Sequence, residues 1–508
     1  MLPESKITEL RTYLLELAHL DSVSALLDWD QSVNMPTNHN GHQARAALSA
    51  YMAGLRHRKA TSPEFENLLL EAKLKASDGQ LDADEKCIVT EAWDDFERNK
   101  KLPPDFVEEQ TRMTGKAQQA WETAKDKSDF KLFKPHLEEI VALKRQEADY
   151  SRESGQDLYD ALLDNYEPGF PSARLEIIFK EVKDFLLSFI QILPRSPHWT
   201  KSDVVRKPIV PLDQMKFAKM VARKIGYKVN SGNLAISVHP FSTSFHPTDA
   251  RITTRCKRRN FVYDCLMSVI HESGHAMYEQ GLPTEFYGTP RAEAVSFGIH
   301  ESQSRLWENI VGRSMPFWIY FYPKMQHKIR QFRNVSLADF YGAINHVQSS
   351  FIRVDADEVT YNLHIILRFE IERMLINGQV EVDDLPDLWN QKAKEYLGLT
   401  VSSDSDGILQ DVHWSDGSFG YFPSYALGNL YAAQFYEAAE RDMPELNLKI
   451  SKGNFRDLLR WLRSNIHVHG RLYSAEELLG RVTGKGCNTE SFIKYIREKY
   501  ASLYGIQD

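Results

Sequence analysis

Cysteine is scarce in this chain: Cys87, Cys256, Cys265 and Cys487 are the whole complement of 508 residues, and no two have CxxC spacing. That excludes a disulfide-stapled scaffold and a cysteine-rich metal site, and it points to a reducing compartment. Long apolar runs are also missing, since no stretch approaches the roughly 18 residues a membrane span requires. The start, Met1 to Ser5 followed by an amphipathic charged segment, shows no signal peptide. A cytoplasmic protein without membrane contact is the expectation. Positive charge is not in excess either, with 62 Lys and Arg against 70 Asp and Glu and a formal net charge of -8. The short basic run Lys257, Arg258 and Arg259 reads as a solvated turn, so nucleic acid is not an expected partner. Repeats and low-complexity tracts are absent, and strand signals are few.

What is present is material for a large core: 42% of the residues are hydrophobic. From Glu4 to about Glu153 the chain reads as successive helices rich in Leu, Ala, Glu and Lys, broken at Pro36, Pro63 and the Pro103 and Pro104 pair. Further helices are expected over Ala173 to Leu193 and Asp213 to Ile225, separated by a polar stretch around Pro194, Pro197 and Pro208. Leu234, Ile236 and Val238 alternate with small or polar neighbours, and Ile252, Thr253 and Thr254 favour strands, so a small sheet or hairpin is expected there. Helices resume to the C-terminus. Together these features predict one large, mainly α domain over residues 1–508.

The chemistry is concentrated at His271, Glu272, Ser273, Gly274 and His275, the pattern HExxH, which follows the apolar run Phe261, Val262, Tyr263, Leu266, Met267, Val269 and Ile270. On a helix, residues four apart share a face, so both imidazoles can reach one metal ion with Glu272 beside them. A catalytic zinc takes three protein ligands and keeps one position for water, and a carboxylate is a common third ligand. Glu301 is a candidate, on a second helical stretch expected over Ala292 to Val311; Gly281, Pro283, Gly288 and Pro290 fit a reversal between the two helices. Glu279, Glu285, Glu293 and Glu308 compete for the role, and spacing does not choose among them.

Six motifs in order resemble the carboxypeptidase Taq family of zinc metallocarboxypeptidases along most of the chain. They are His239–Pro240–Phe241; Asp249, Arg251 and Thr253 (DxRxT); the HExxH segment; His300–Glu301–Ser302–Gln303 (HESQ); Ile352, Arg353, Ala356 and Asp357 (IRxxAD); and Gly407, Gln410, Asp411, His413 and Trp414 (GxxQDxHW), which runs on into Gly420, Tyr421, Phe422, Pro423 and Tyr425. The resemblance implies a single helical domain with a deep active-site groove and a small sheet near the metal, similar to neurolysin and angiotensin-converting enzyme. It implies Glu301 as third ligand beside His271 and His275, one zinc ion per chain with cobalt suited to the same donors, and a homodimer.

On this reading the protein releases single C-terminal amino acids from peptides by attack of a metal-activated water. Glu272 acts as base and then acid. Tyr421 stabilises the oxyanion, with His413 beside it and Tyr425 as a rival. Arg353, ahead of Arg251, would meet the free carboxylate of the peptide substrate with paired hydrogen bonds, and His239 would contact the substrate backbone or fix its loop. Related enzymes often carry an Asp four residues beyond the glutamate ligand to orient a histidine; Arg305 stands there in this chain, leaving Asp357 and Asp411 as candidate supports. The rival readings are an oligopeptidase that cuts internally and a catalytically silent peptide-binding protein.

Overall fold

The computed structural model describes residues 6–36, 39–193 and 202–506. The architecture is mainly helical with one three-stranded sheet. Proline marks helix starts where the sequence placed breaks: Pro63 opens Pro63–Ser77 behind the Ser62 cap, and Pro104 opens Pro104–Lys127. Proline tolerates a first-turn position because its missing N–H has no partner to lose there. Asp82 with Glu85 and Ser474 with Glu477 close capping boxes on two further helices. Helices Ser172–Ile192 and Pro211–Ile225 match the expected spans within two residues. Pro194 and Pro197, expected between them, lie outside the described residues.

The sheet is not a simple hairpin. Its order is β1 (Leu234–Ile236), β3 (Asp249–Thr254), β2 (Ser242–His246), with β3 parallel to β1 and antiparallel to β2. Strand β2 reads Ser-Thr-Ser-Phe-His, too polar to announce itself, and it forms because β3 supplies a partner. Val238, expected to extend the first strand, lies beyond it and is exposed.

Among the described residues two apolar clusters hold the chain together. The smaller joins Lys6–Val33, Pro63–Ser77 and Ala83–Lys100 through Leu10, Phe65, Leu69, Ile88 and Phe96. The larger runs from Met113 to Tyr504 and encloses the segment carrying the histidines.

Candidate metal centre

The apolar run before the histidines starts as a π-helix, Phe261–Met267, and becomes the α-helix Ser268–Glu279 that carries HExxH. The second helix is shorter than expected. Ser296 caps it by accepting from the Ile299 N–H at 3.1 Å, so Ala292 to Val295 stay outside; the α-helix spans Phe297–Arg305 and passes into a second π-helix, Leu306–Val311. Single π-turns of this kind collect at functional sites because they re-aim side chains.

Two glycines let the helices close on one another. A Cβ on Gly274, inside HExxH, would stand 2.6 Å from Ser304 Cα and 2.7 Å from the Gln303 carbonyl oxygen. A Cβ on Gly428, in helix Phe422–Asp442, would stand 2.4 Å from Glu301 Cγ. The helix that carries Glu301 is thus gripped between two backbones, with Gly428 against Glu301 itself. Its Oε2 lies 3.2 Å from His275 Nε2 and 3.6 Å from His271 Nε2. Among the described residues His271, His275 and Glu301 form a group whose donor atoms all lie within 4.8 Å of one another. Three of the four competing acids are engaged elsewhere, and the fourth, Glu285, is exposed: Glu279 meets His300 at 3.0 Å, Glu293 meets Arg471 at 3.1 Å, and Glu308 meets the far side of His271.

The supports of this cluster differ from the expected ones. His271 Nδ1 is paired with Glu308 Oε2 at 2.9 Å, and Arg305 and Arg313 flank the same carboxylate at 3.5 and 3.4 Å. Asp357 instead accepts the Val359 and Thr360 N–H groups before helix Tyr361–Ile376. Asp411 is consumed by Arg353 and Arg368. The signal for Glu308 was its spacing. It follows Glu301 by seven residues, almost two whole helical turns, and so shares its face. Arg305, at the position often held by Asp, donates from Nε to Glu301 Oε1 at 2.6 Å and lies over the Tyr361 ring. His275 stacks on His300 with centroids 4.4 Å apart.

Burial by itself would push the Glu301 carboxyl upward, but Arg305 and His271 hold it well below the usual carboxylate range. Glu272 is 6% exposed, and burial raises its carboxyl to about 7, with Glu301 and Glu308 adding to the shift. A carboxyl placed there takes and returns protons near neutrality.

The remaining sequence candidates divide into two groups. Tyr421 lies at the start of helix Phe422–Asp442, packed edge-on against Tyr166, Phe297 and Tyr425, and burial pushes its phenol up to about 12. His413 Nε2 meets the Tyr425 hydroxyl at 3.2 Å, and burial with Arg353 nearby lowers the imidazole to about 3. Arg353 is buried, paired through Nε and Nη2 with Asp411 at 3.0 and 2.9 Å and through Nη1 with the Tyr361 hydroxyl at 3.0 Å, and it lies over the Tyr425 ring. Tyr361, which lies in none of the six motifs, therefore links Arg353 to Arg305 and so to Glu301. Arg251 and His239 belong to the sheet region instead. Arg251 forms a two-point pair with Asp249 at 2.9 and 2.8 Å and lies over Trp29 and Phe245. His239 is exposed, in a turn held by Ser237 and Thr253.

The donor set suits a divalent metal such as zinc. Glu308 occupies His271 Nδ1, which leaves Nε2 as the free nitrogen facing His275 Nε2 and a charged carboxylate, an N₂O set of the catalytic type. Comparison with known proteins agrees. Residues 9–500 match the family described as Carboxypeptidase Taq (M32) metallopeptidase. Thermostable carboxypeptidase 1 of Thermus thermophilus is 39% identical, with 99% of this chain and 100% of the relative covered. Carboxypeptidase 1 of Bacillus subtilis is 38% identical, with 97% of each covered. The crystal structure of an M32 carboxypeptidase from Deinococcus radiodurans R1 superposes with a TM-score of 0.94 at 37% identity, over 99% of this chain and 100% of that one. A match over nearly the whole length, together with the clustered His271, His275 and Glu301, places this chain in the carboxypeptidase Taq (M32) family of metallopeptidases.

Proposed function

We propose that His271, His275 and Glu301 hold one catalytic zinc ion in this metallocarboxypeptidase and that Glu272 moves the protons of the reaction. The hydrolase activity itself follows from family membership and from the named carboxypeptidases that match nearly end to end. When bound, the metal supplies a Lewis acid and lowers the pKa of water toward about 7; cobalt suits the same donors. The observation that carries the assignment is the convergence of the two Nε2 atoms on one Glu301 oxygen, beside the buried Glu272.

Glu272 takes a proton from the attacking water and returns it to the leaving amine. Tyr421 donates its hydroxyl to the oxyanion; its high pKa keeps the proton in place as the donor. His413 is held neutral by burial and positions the Tyr425 hydroxyl next to Tyr421. Arg353 receives the substrate carboxylate. Its contacts with Asp411 and Tyr361 leave one N–H on each terminal nitrogen, the paired geometry a carboxylate accepts. Arg251 and His239, beside the sheet, contribute to substrate contact further from the metal. We extend the proposal to one catalytic unit over residues 1–508, working in the cytoplasm as a homodimer on peptides with a free C-terminus.

The test pairs two substrates, a short peptide with a free C-terminus and its amidated form, before and after chelation. Cleavage of the free form that is lost with the metal, with the amide resisted, is expected. Arg353→Lys keeps the charge that neutralises Asp411 but loses the planar fork, so kcat/KM for the free peptide should fall about 10- to 100-fold. Equal rates on both peptides would replace the exopeptidase reading with an internal cutter.

A further inference from the structure

The catalytic reading leaves unused a pair of cysteines at the entrance to the HExxH helix. Cys256 follows strand β3, Cys265 sits in the π-helix Phe261–Met267, and their Sγ atoms stand 3.0 Å apart. The elements that carry them are clamped by the residues on either side. Arg255, next to Cys256, donates to Asp264, next to Cys265, at 2.8 Å; Asn260 binds the other oxygen of Asp264 at 2.8 Å; and the Thr254 and Ser268 hydroxyls meet at 2.6 Å. A disulfide requires sulfurs about 2.05 Å apart, so closing this one asks for roughly 1 Å of approach between groups already facing each other. Cys265 is fully buried and Cys256 half-buried, with Lys257, Arg258 and Arg259 exposed immediately after it.

We propose that Cys256 and Cys265 form a redox-modification site, in which the dithiol is closed to a disulfide by a small anionic disulfide of the glutathione disulfide type, drawn in by the exposed basic run. The steps balance. Cys256, as thiolate, attacks one sulfur of the oxidant, forming a mixed disulfide and releasing one thiolate. Cys265 then attacks the Cys256 sulfur and expels the second thiolate. The two cysteine protons finish on the two released thiols, the protein dithiol has lost two electrons, and the small disulfide has gained them. The order of attack follows from access and from charge. Cys256 is the reachable sulfur, and the neighbouring Cys265 thiol lowers its pKa against burial, while Cys265 itself is pushed far up. Cys87 and Cys487 have no such partner sulfur among the described residues, and burial raises both thiols, Cys87 to about 11 and Cys487 to about 12.

The experiment uses the full-length, metal-loaded protein, incubated with glutathione disulfide, denatured and alkylated with N-ethylmaleimide. Two of the four thiols should become unreactive, peptide mapping should find Cys256 joined to Cys265, and dithiothreitol should restore both. The closing rate should exceed that with the neutral hydroxyethyl disulfide about threefold or more at low salt, with the advantage shrinking at high salt. Cys265→Ala should stop at a glutathione adduct on Cys256. If that variant does not fold, the mapping of the native protein decides alone. Four alkylatable thiols after oxidation, or a lasting adduct on Cys256 in the native protein, would overturn the proposal. Equal rates with the two oxidants would remove the role of the basic run.

Discussion

Replacing Gly274 by alanine adds a single methyl group, at the point where two helices of the metal centre touch. The new Cβ would stand 2.6 Å from Ser304 Cα and 2.7 Å from the Gln303 carbonyl oxygen, both backbone atoms that cannot rotate away. Carbon atoms rest at about 3.5–4.0 Å, so the HExxH helix and the Glu301 helix must part by roughly 1 Å. The stability change is modest, because the helix gains about 1 kcal/mol from losing a glycine while overpacking costs about 1–3 kcal/mol. The proposed metal set is far less tolerant. Ligand distances must hold within about 0.2 Å, and Glu301 moves with the displaced helix while His271 and His275 do not. Zinc affinity should therefore drop at least 10- to 100-fold, a loss of the size seen when a ligand's support is removed. The assay is competition for zinc against a chromophoric chelator, alongside thermal unfolding of the metal-free protein and kcat at saturating zinc. Gly115, in helix Pro104–Lys127, has nothing within 4 Å of its Cβ position and serves as control; Gly115→Ala should gain about 1 kcal/mol and leave zinc binding unchanged. Zinc affinity within about threefold of the parent protein in Gly274→Ala would refute the claim that this close approach sets the ligand geometry.

Three further outcomes follow from the site. Glu272→Gln should retain zinc, measured by elemental analysis, and lose about 10²- to 10⁴-fold in kcat; near-normal turnover would remove Glu272 from proton transfer. Glu308→Gln frees His271 Nδ1 from its carboxylate and should weaken zinc about 10- to 100-fold while the fold persists by circular dichroism, whereas unchanged affinity would make the 2.9 Å contact incidental. Glu167 is buried with its carboxyl raised to about 7 by desolvation, although Ser424, Ser296 and the Gly298 N–H oppose the shift. Because the folded pKa exceeds the ordinary carboxyl value, protonation favours the folded state; stability should decline as pH rises from about 4.5 to 7, by up to roughly 3 kcal/mol, and level off above. Glu167→Gln should flatten that slope in a Tm-against-pH series, and an unaltered slope would assign it to other groups.

Helical class was legible because it is written locally. Apolar spacing, Pro63, Pro104 and the capping pairs act within a few residues; helices start at Pro63 and Pro104 where breaks were expected, and Ser172–Ile192 and Pro211–Ile225 came out close to the expected spans. HExxH was legible for the same reason, since two histidines one turn apart share a face whatever surrounds them. Where expectation failed in the sheet, the deciding interaction was a partner strand: β2 exists because β3 pairs with it. The second helix starts at Phe297 because Ser296 caps it from three residues away, a local signal outweighed in the sequence by the apolar spacing that begins at Ala294.

The sequence by itself therefore determined the helical scaffold, the two histidines, the neighbouring Glu272 and, through family resemblance, the acid at Glu301. Tertiary structure decided which acid supports His271, why Gly274 and Gly428 must be glycine, how Tyr361 and Asp411 hold Arg353, and that Cys256 faces Cys265. The physical reason is one of range. Backbone periodicity and capping are set by neighbours along the chain, whereas a hydrogen bond, a close helix approach or a sulfur pair exists only when packing brings separate segments within a few ångströms.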